Sequence, residues 1–285
     1  MSDWGKSKGM TTKTRPRIID VRARPNIAEY MKIFQAPAAV ADMQRFGFPV
    51  PPTILLAEFI EEMDRLGIEK IVYSGRQAEY FRVSNDHISQ IAAAHPDRIV
   101  GFGSLDLTQD TRASLVEIAR CQEQLGLRGI ALDQARLSRM VDDRRYYPIY
   151  LECETRGLPL IFTFGPLVNR YLDFGSPLPV DHVAADFPDL KILCAHGTWP
   201  WISEMIAIAF RHDNVFFDAS AWFRMPGHNM LVEAVNSGVV ADKLLFGSAL
   251  PFNPLEAAID DFLALGWRED VLPRILHDNA ERFLS

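Results

Sequence analysis

The sequence predicts an α/β fold, a (β/α)8 TIM barrel forming one domain, and three observations carry that expectation. Short β-rich runs alternate with helical patterns from residue 17 to the C-terminus. Eight such pairs follow one another with no break in composition. The loop GxGxxG that would mark an open, doubly wound sheet is missing from the first strand-to-helix turn, and "GFGSL" at 101–105 is too short a match to replace it. Alternation of this kind calls for a parallel sheet covered by helices, and eight units in one run favour closure.

"RIIDVRAR" opens the first unit. After a loop rich in Pro, Ala and Phe (25–52) comes "TILLAEFIEEMDRLG", whose apolar spacing is helical and whose final glycine suits a C-cap. "IEKIVYSG" reads as the second strand and "SNDHISQIAAAHPD" as its helix, with Ser84 or Asn85 as N-cap. "RIVGFGSLDL" precedes "TRASLVEIARCQEQLG", again ended by glycine. The fourth to sixth strands are "LRGIALD", "LPLIFTFG" and "LKILCAHG", with "YYPIYLECETRG", "PVDHVAADFP" and "WISEMIAIAFRH" as their helices. "NVFFDAS" with "HNMLVEAVNSG" makes the seventh unit. "DKLLFGSALP" starts the eighth, which closes on "PLEAAIDDFLALG" and "REDVLPRILHDNAERFL".

Thirty basic against thirty-seven acidic residues leave a net charge of −7, which argues against nucleic acid as a partner. No run approaches eighteen apolar residues, so no membrane span is expected. "MSDWGKSKGMTTKTRPR" lacks the apolar stretch of a secretory signal. Residues 1–16 are expected to be a flexible leader to a barrel domain at 17–285, with Met10 a second candidate start. The three cysteines, Cys121, Cys153 and Cys194, show no CxxC spacing, which fits small buried hydrophobes in a reducing cytoplasm.

In such barrels the chemistry sits where strands end. "IIDVRARPN" places Asp20, Arg22 and Arg24 at every second position, which on a strand is one face. The other strand ends offer Ser74 and Arg76, Asp106, Asp133, Thr163 with Phe164, Cys194 and His196, Asp218 and Ser220, and Ser248 with Ala249.

Eight phrases in register resemble the amidohydrolase-2 family, which is related to aminocarboxymuconate-semialdehyde and resorcylate decarboxylases. They are "RIIDVRAR", "AAHPDRIVGFGSLDL", "LGLRGIAL", "YPIYLECETRGLPLIF", "FPDLKILCAHGTWPW", "NVFFDAS", "LLFGSALP" and "ILHDNAERFL". The resemblance implies an amidohydrolase-like barrel and also a metal site, and there the sequence departs. The histidines of Asp-x-His-x-His are replaced by Arg22 and Arg24, the fifth-strand histidine by Thr163, and the eighth-strand aspartate by Ala249; of those ligands His196 remains. A guanidinium has no lone pair to give and repels a cation, so no metal and no cofactor is expected. A rebuilt set of Cys194, His196 and Asp218, the first two sharing a strand face, is the alternative.

Arginines at these positions fit anion binding, because guanidiniums hold carboxylates bidentately and keep their charge when desolvated. Arg24, nearer the mouth, is the expected ligand contact, and Asp20 the expected partner of Arg22. Arg76, Thr163, Trp199, Trp222 and His228 complete the expected substrate-binding set, with Trp201 and Phe223 beside the two tryptophans. His196 is the candidate general base, kept neutral by the arginines, and Asp218 either orients it or acts itself. The resulting expectation is a metal-independent hydrolase of a small carboxylate-bearing lactone or ester. A decarboxylase of a small aromatic or unsaturated acid and a non-catalytic protein that binds an acidic ligand are the alternatives. The apolar stretch at 35–52 reads as a lid or a contact between subunits of a homodimer.

Overall fold

A computed structural model describes residues 16–285 apart from 36, 38, 39, 42, 43, 45–49, 79 and 80. The expected leader and most of the expected lid at 35–52 lie outside those residues. In chain order the strands are β1 (Ile18–Asp20), β2 (Ile68–Ser74), β3 (Arg76–Ala78), β4 (Phe81–Val83) and β5 (Ile99–Ser104). They continue with β6 (Ile130–Leu132), β7 (Leu160–Thr163), β8 (Ile192–Ala195), β9 (Val215–Asp218) and β10 (Leu244–Leu245). β3 and β4 form an antiparallel hairpin that the sequence reading did not anticipate. The other eight make one parallel sheet in the order β1-β2-β5-β6-β7-β8-β9-β10. The circle closes beyond the strand ends, where Val21 N–H donates to the Phe246 carbonyl at 3.0 Å and Arg24 N–H to that of Leu250 at 3.1 Å.

The helices are α1 (Ala28–Met31), α2 (Leu56–Leu66), α3 (Asn85–Ala94), α4 (Thr111–Glu123) and α5 (Tyr147–Thr155). After them come α6 (Val180–Asp186), α7 (Ile202–Arg211), α8 (His228–Asn236), α9 (Leu255–Leu263) and α10 (Asn279–Leu284). Their ends follow local chemistry. Gly67, at φ 76°, ends α2 in a left-handed conformation that costs glycine little. The Ser84 hydroxyl accepts from His87 N–H to start α3, and Asp110 does the same for Ala113 at α4. No helix among the described residues is long and apolar enough to cross a membrane.

Two apolar layers follow from strand alternation. Ile19, Val72, Phe102, Ala131, Ile161, Leu193, Phe216 and Leu245 fill the barrel interior, and Phe283 of α10 plugs its lower end against Phe102 and Phe216. Their strand neighbours, among them Ile18, Ile71, Ile130, Leu160, Ile192, Val215 and Leu244, pack outward against the helices. Two residues beyond the interior set, the same alternation aims Ser74, Asp133, Thr163, Asp218 and Gly247 at the barrel axis near its mouth.

The first strand departs from the expectation. β1 stops at Asp20, and Val21 and Arg22 form a turn in which Arg22 N–H donates to Asp20 Oδ1 at 2.9 Å. A short polar side chain that captures a backbone N–H two residues on competes with the ladder and bends the chain. Strand alternation therefore does not relate Asp20, Arg22 and Arg24.

Candidate active site

Six charged side chains converge at the mouth: Asp20, Arg22, Arg24, Arg76, Asp133 and Asp218. Asp20 and Asp218 are fully buried, and the three arginines expose no more than 4% of their surface. Such burial is tolerated only where hydrogen bonds replace water, and the partners can be traced.

The Arg22 guanidinium reaches across the barrel. Its Nε donates to Nε2 of His196 at 3.2 Å and its Nη2 to Oγ1 of Thr163 at 3.0 Å, while Nη1 is buried without a partner. Asp20, expected to hold this guanidinium, instead fixes backbone: its Oδ1 accepts from the N–H groups of Arg22 and Ser248 at 2.9 and 3.0 Å. Its Oδ2 is buried and unpartnered. Burial outweighs those bonds and pushes the carboxyl up to about 6.

His196 follows β8 in a left-handed conformation, φ 59°, so it does not continue the strand. Its partners decide its tautomer. Nδ1 faces the Ser220 carbonyl at 2.9 Å and the Ser220 hydroxyl at 2.7 Å, and that hydroxyl gives its own proton to Asp218 Oδ1. Nε2 faces a guanidinium N–H, which can only donate. The proton therefore sits on Nδ1, and the Nε2 lone pair is engaged by Arg22. Burial and then the Arg22 charge hold the imidazole well below its ordinary range, so it is neutral.

Asp218 Oδ1 also accepts from the backbone N–H groups of His196 and Ser220, at 3.2 and 2.8 Å, tying the β8 and β9 loops together. Its Oδ2 is buried and unpartnered. Burial raises this carboxyl, the Ser220 bonds and the Arg22 charge offsetting only part of the effect. Gly247 makes the packing feasible, since a Cβ there would lie 2.9 Å from Arg22 Cβ and 3.2 Å from Ser220 Cβ.

Arg24 donates from Nη2 to Ser74 Oγ at 2.9 Å, and its Nε is buried without a partner. Arg76 forms a two-pronged pair with Asp133, Nε to Oδ2 at 3.0 Å and Nη2 to Oδ1 at 2.8 Å. Burial would raise Asp133, but the charge and bonds of Arg76 prevail and hold it below the usual carboxylate range. Asp133 is thus committed to Arg76, whereas the hydrogen bonds of Arg22 and Arg24 go to neutral groups, His196, Thr163 and Ser74.

Other expected site residues take different places. Thr163 anchors Arg22 rather than standing free. Trp199 and Trp222 lie with ring centres 5.8 Å apart, and the buried indole N–H of Trp222 has no partner. A Cβ on Gly165 would meet Trp222 Nε1 at 3.0 Å and His196 Cβ at 3.7 Å, which places this tryptophan beside the histidine. Phe223 turns away to pack on Phe262. His228 is the first residue of α8, its Nδ1 beside the Met225 carbonyl at 3.2 Å. Cys194 lies in the outer apolar layer, so it does not share a face with His196. The sequence offered Ser220 only as a strand-end residue without a role, and it singled out neither Gly247 nor Gln134. Gln134 is fully buried with neither amide atom hydrogen-bonded.

Comparison with known proteins agrees with the architecture. Residues 19–285 match the family model described as amidohydrolase. An uncharacterised TIM-barrel protein from Bordetella bronchiseptica is 32% identical with a TM-score of 0.79, covering 94% of this chain and 98% of that one. The 2-amino-3-carboxymuconate-6-semialdehyde decarboxylase of Dictyostelium discoideum is 31% identical over 130 residues, 40% of this chain and 36% of that protein's length. The structure of 2,6-dihydroxybenzoate decarboxylase from Rhizobium shares the fold at 18% identity and a TM-score of 0.67, covering 94% of this chain and 98% of that one.

The mouth does not fit the metal that the family resemblance implies. Arginine stands at two ligand positions, and the remaining imidazole turns its lone pair to Arg22. Among the described residues, three metal-binding atoms come within 4.8 Å of one another at Glu69, His277 and Glu281, near the strand starts and not at the mouth. The alternative set with Cys194 fails as well, because that thiol lies in the outer apolar layer while His196 leaves the strand in a left-handed conformation.

Proposed function

The chain belongs to the amidohydrolase family, and from that premise we propose that it hydrolyses a small carboxylate-bearing lactone or ester whose negative charge is received by Arg22 and Arg24. One observation carries this reading. Arg22 Nη1 and Arg24 Nε are buried guanidinium N–H groups with no acceptor. Burial and neighbouring positive charge weigh on both arginines. A carboxylate or an oxyanion would supply the missing acceptor and the missing charge together.

In this reading Arg22 Nη1 stabilises the oxyanion that forms when water attacks the ester carbonyl. Such a donor acts most strongly when it is fixed before charge develops, and His196 and Thr163 fix it. The candidate proton acceptor shifts from His196, whose lone pair is occupied, to Oδ2 of Asp218, a raised and therefore more basic carboxylate. Asp218 takes the proton of the attacking water and returns it to the leaving oxygen as the tetrahedral intermediate collapses. His196 positions Arg22.

The names of the decarboxylase relatives favour a second reading, loss of CO₂ from an aromatic or unsaturated acid. Arginines that clasp the departing carboxylate would stabilise the ground state more than a transition state in which that charge leaves. Charge accumulates in ester hydrolysis, and for that reason hydrolysis is preferred. A pH-stat assay on a panel of carboxylated lactones and esters, run beside CO₂ detection on a panel of aromatic and unsaturated acids, separates the readings: hydrolysis releases a proton per turnover on the first, whereas decarboxylation yields CO₂ on the second. Stabilisation of the fold by those acids with no product from either panel would mean binding alone.

A further inference from the structure

We propose that the Arg22 guanidinium is itself the cation of this centre, supplied by the chain at the place where the family resemblance puts a divalent metal. The inference goes beyond the catalytic reading and holds whether the bound acid is hydrolysed, decarboxylated or merely held.

Arg22 reaches two of the implied ligand positions at once. Its Nε meets Nε2 of His196, at the sixth-strand position, and its Nη2 meets Thr163, at the fifth-strand position. The Ser220 carbonyl fixes the tautomer that leaves Nε2 free to accept. Asp218 contributes an opposing charge to Arg22 and presents a free Oδ2. Gly247 packs its backbone against the Arg22 Cβ, leaving no room for a side chain between them. The resulting centre is a fixed positive charge surrounded by an imidazole lone pair, a hydroxyl and a carboxylate. Its ligand class is an oxyanion, such as a carboxylate or an enolate, received by hydrogen bonds from a planar cation.

The test removes the cation and offers it back. Arg22→Ala in the full chain should unfold at a lower temperature than wild type. Guanidinium chloride at about 20 mM should raise its midpoint by about 4 °C over sodium chloride of equal ionic strength, and should not raise that of wild type. A folded Arg22→Ala chain that responds equally to both salts overturns the proposal. Should that variant not fold, metal analysis of the wild-type chain after zinc or manganese loading decides. One equivalent of metal retained in His277→Ala overturns the proposal. No bound metal, or metal lost in His277→Ala because it sat at Glu69, His277 and Glu281, supports it. Success of the salt experiment with a silent substrate panel would sink the hydrolytic reading alone.

Discussion

Arg22 Nε donates to Nε2 of His196 across 3.2 Å, joining a guanidinium from the end of the first strand to an imidazole 174 residues away. This contact makes the expected general base an acceptor for Arg22 instead, and it gives the charge state of the histidine a definite expectation.

His196 should be neutral and protonated on Nδ1, because burial and the Arg22 charge both oppose a second proton. Nitrogen-15 shifts of the ring are expected to report that tautomer without change from about pH 8 to about pH 5, against an ordinary midpoint of about 6.5. Titration of this ring near 6.5 would contradict the assignment.

Arg24→Gln tests substrate recognition. The variant keeps a polar group for Ser74 but loses the charged Nε donor. A charge-assisted hydrogen bond contributes roughly 1.5–3 kcal/mol, so KM for the carboxylated substrate should rise about 10- to 100-fold with a smaller change in kcat. An unchanged KM would remove Arg24 from the binding site.

Asp20 makes stability depend on pH with a definite sign. Its folded value, about 6, stands above the ordinary 3.8, so the folded chain binds the proton more tightly. The associated stability is fully present below the unfolded value and is lost as pH rises through about 6, amounting to roughly 3 kcal/mol at most. Asp20→Asn keeps the acceptor for Arg22 and Ser248 without the charge. Urea unfolding of both chains should show wild type losing stability relative to Asp20→Asn between pH 4 and pH 8, on the order of that amount; a constant difference would refute the shift.

Breaking the Arg76–Asp133 pair should destabilise the fold, since Arg76 is 96% buried and would lose its counter-charge. Asp133→Asn is expected to cost about 3 kcal/mol, the low end for a buried pair because Asp133 is partly exposed. Adding Arg76→Met should recover much of that loss, and a double variant no more stable than the single one would show that the pair is not what holds this position.

Gly247→Ala probes the packing behind Arg22. The new methyl would lie 2.9 Å from Arg22 Cβ, so either the β10 end or the arginine must shift. Overpacking of this kind costs about 1–3 kcal/mol, and activity should fall with it as Arg22 leaves His196. Full activity with an unchanged His196 spectrum would mean that the site has slack.

Much of the architecture was legible in the sequence because it rests on local chemistry. Alternation along "LPLIFTFG" and "LKILCAHG" gave the strands, Gly67 ended its helix as its freedom at positive φ allows, and Ser84 capped the next one. The positions of Asp20, Arg22, Thr163, His196 and Asp218 at the barrel mouth followed from strand ends. Which side chain holds which did not. Strand alternation failed at Arg22 because Asp20 captures its backbone N–H, and no local pattern announces that competition. The β3–β4 hairpin, the inward turn of Trp222 and the retreat of Phe223 and Cys194 into the core likewise depended on distant neighbours. The sequence by itself determined the barrel, since periodicity is a property of short segments, and it put arginines where the family resemblance implies metal ligands. Only the tertiary structure decided that Arg22 belongs to His196 and Thr163, because a buried guanidinium takes whatever acceptors the closed barrel brings within reach, however far apart they lie along the chain.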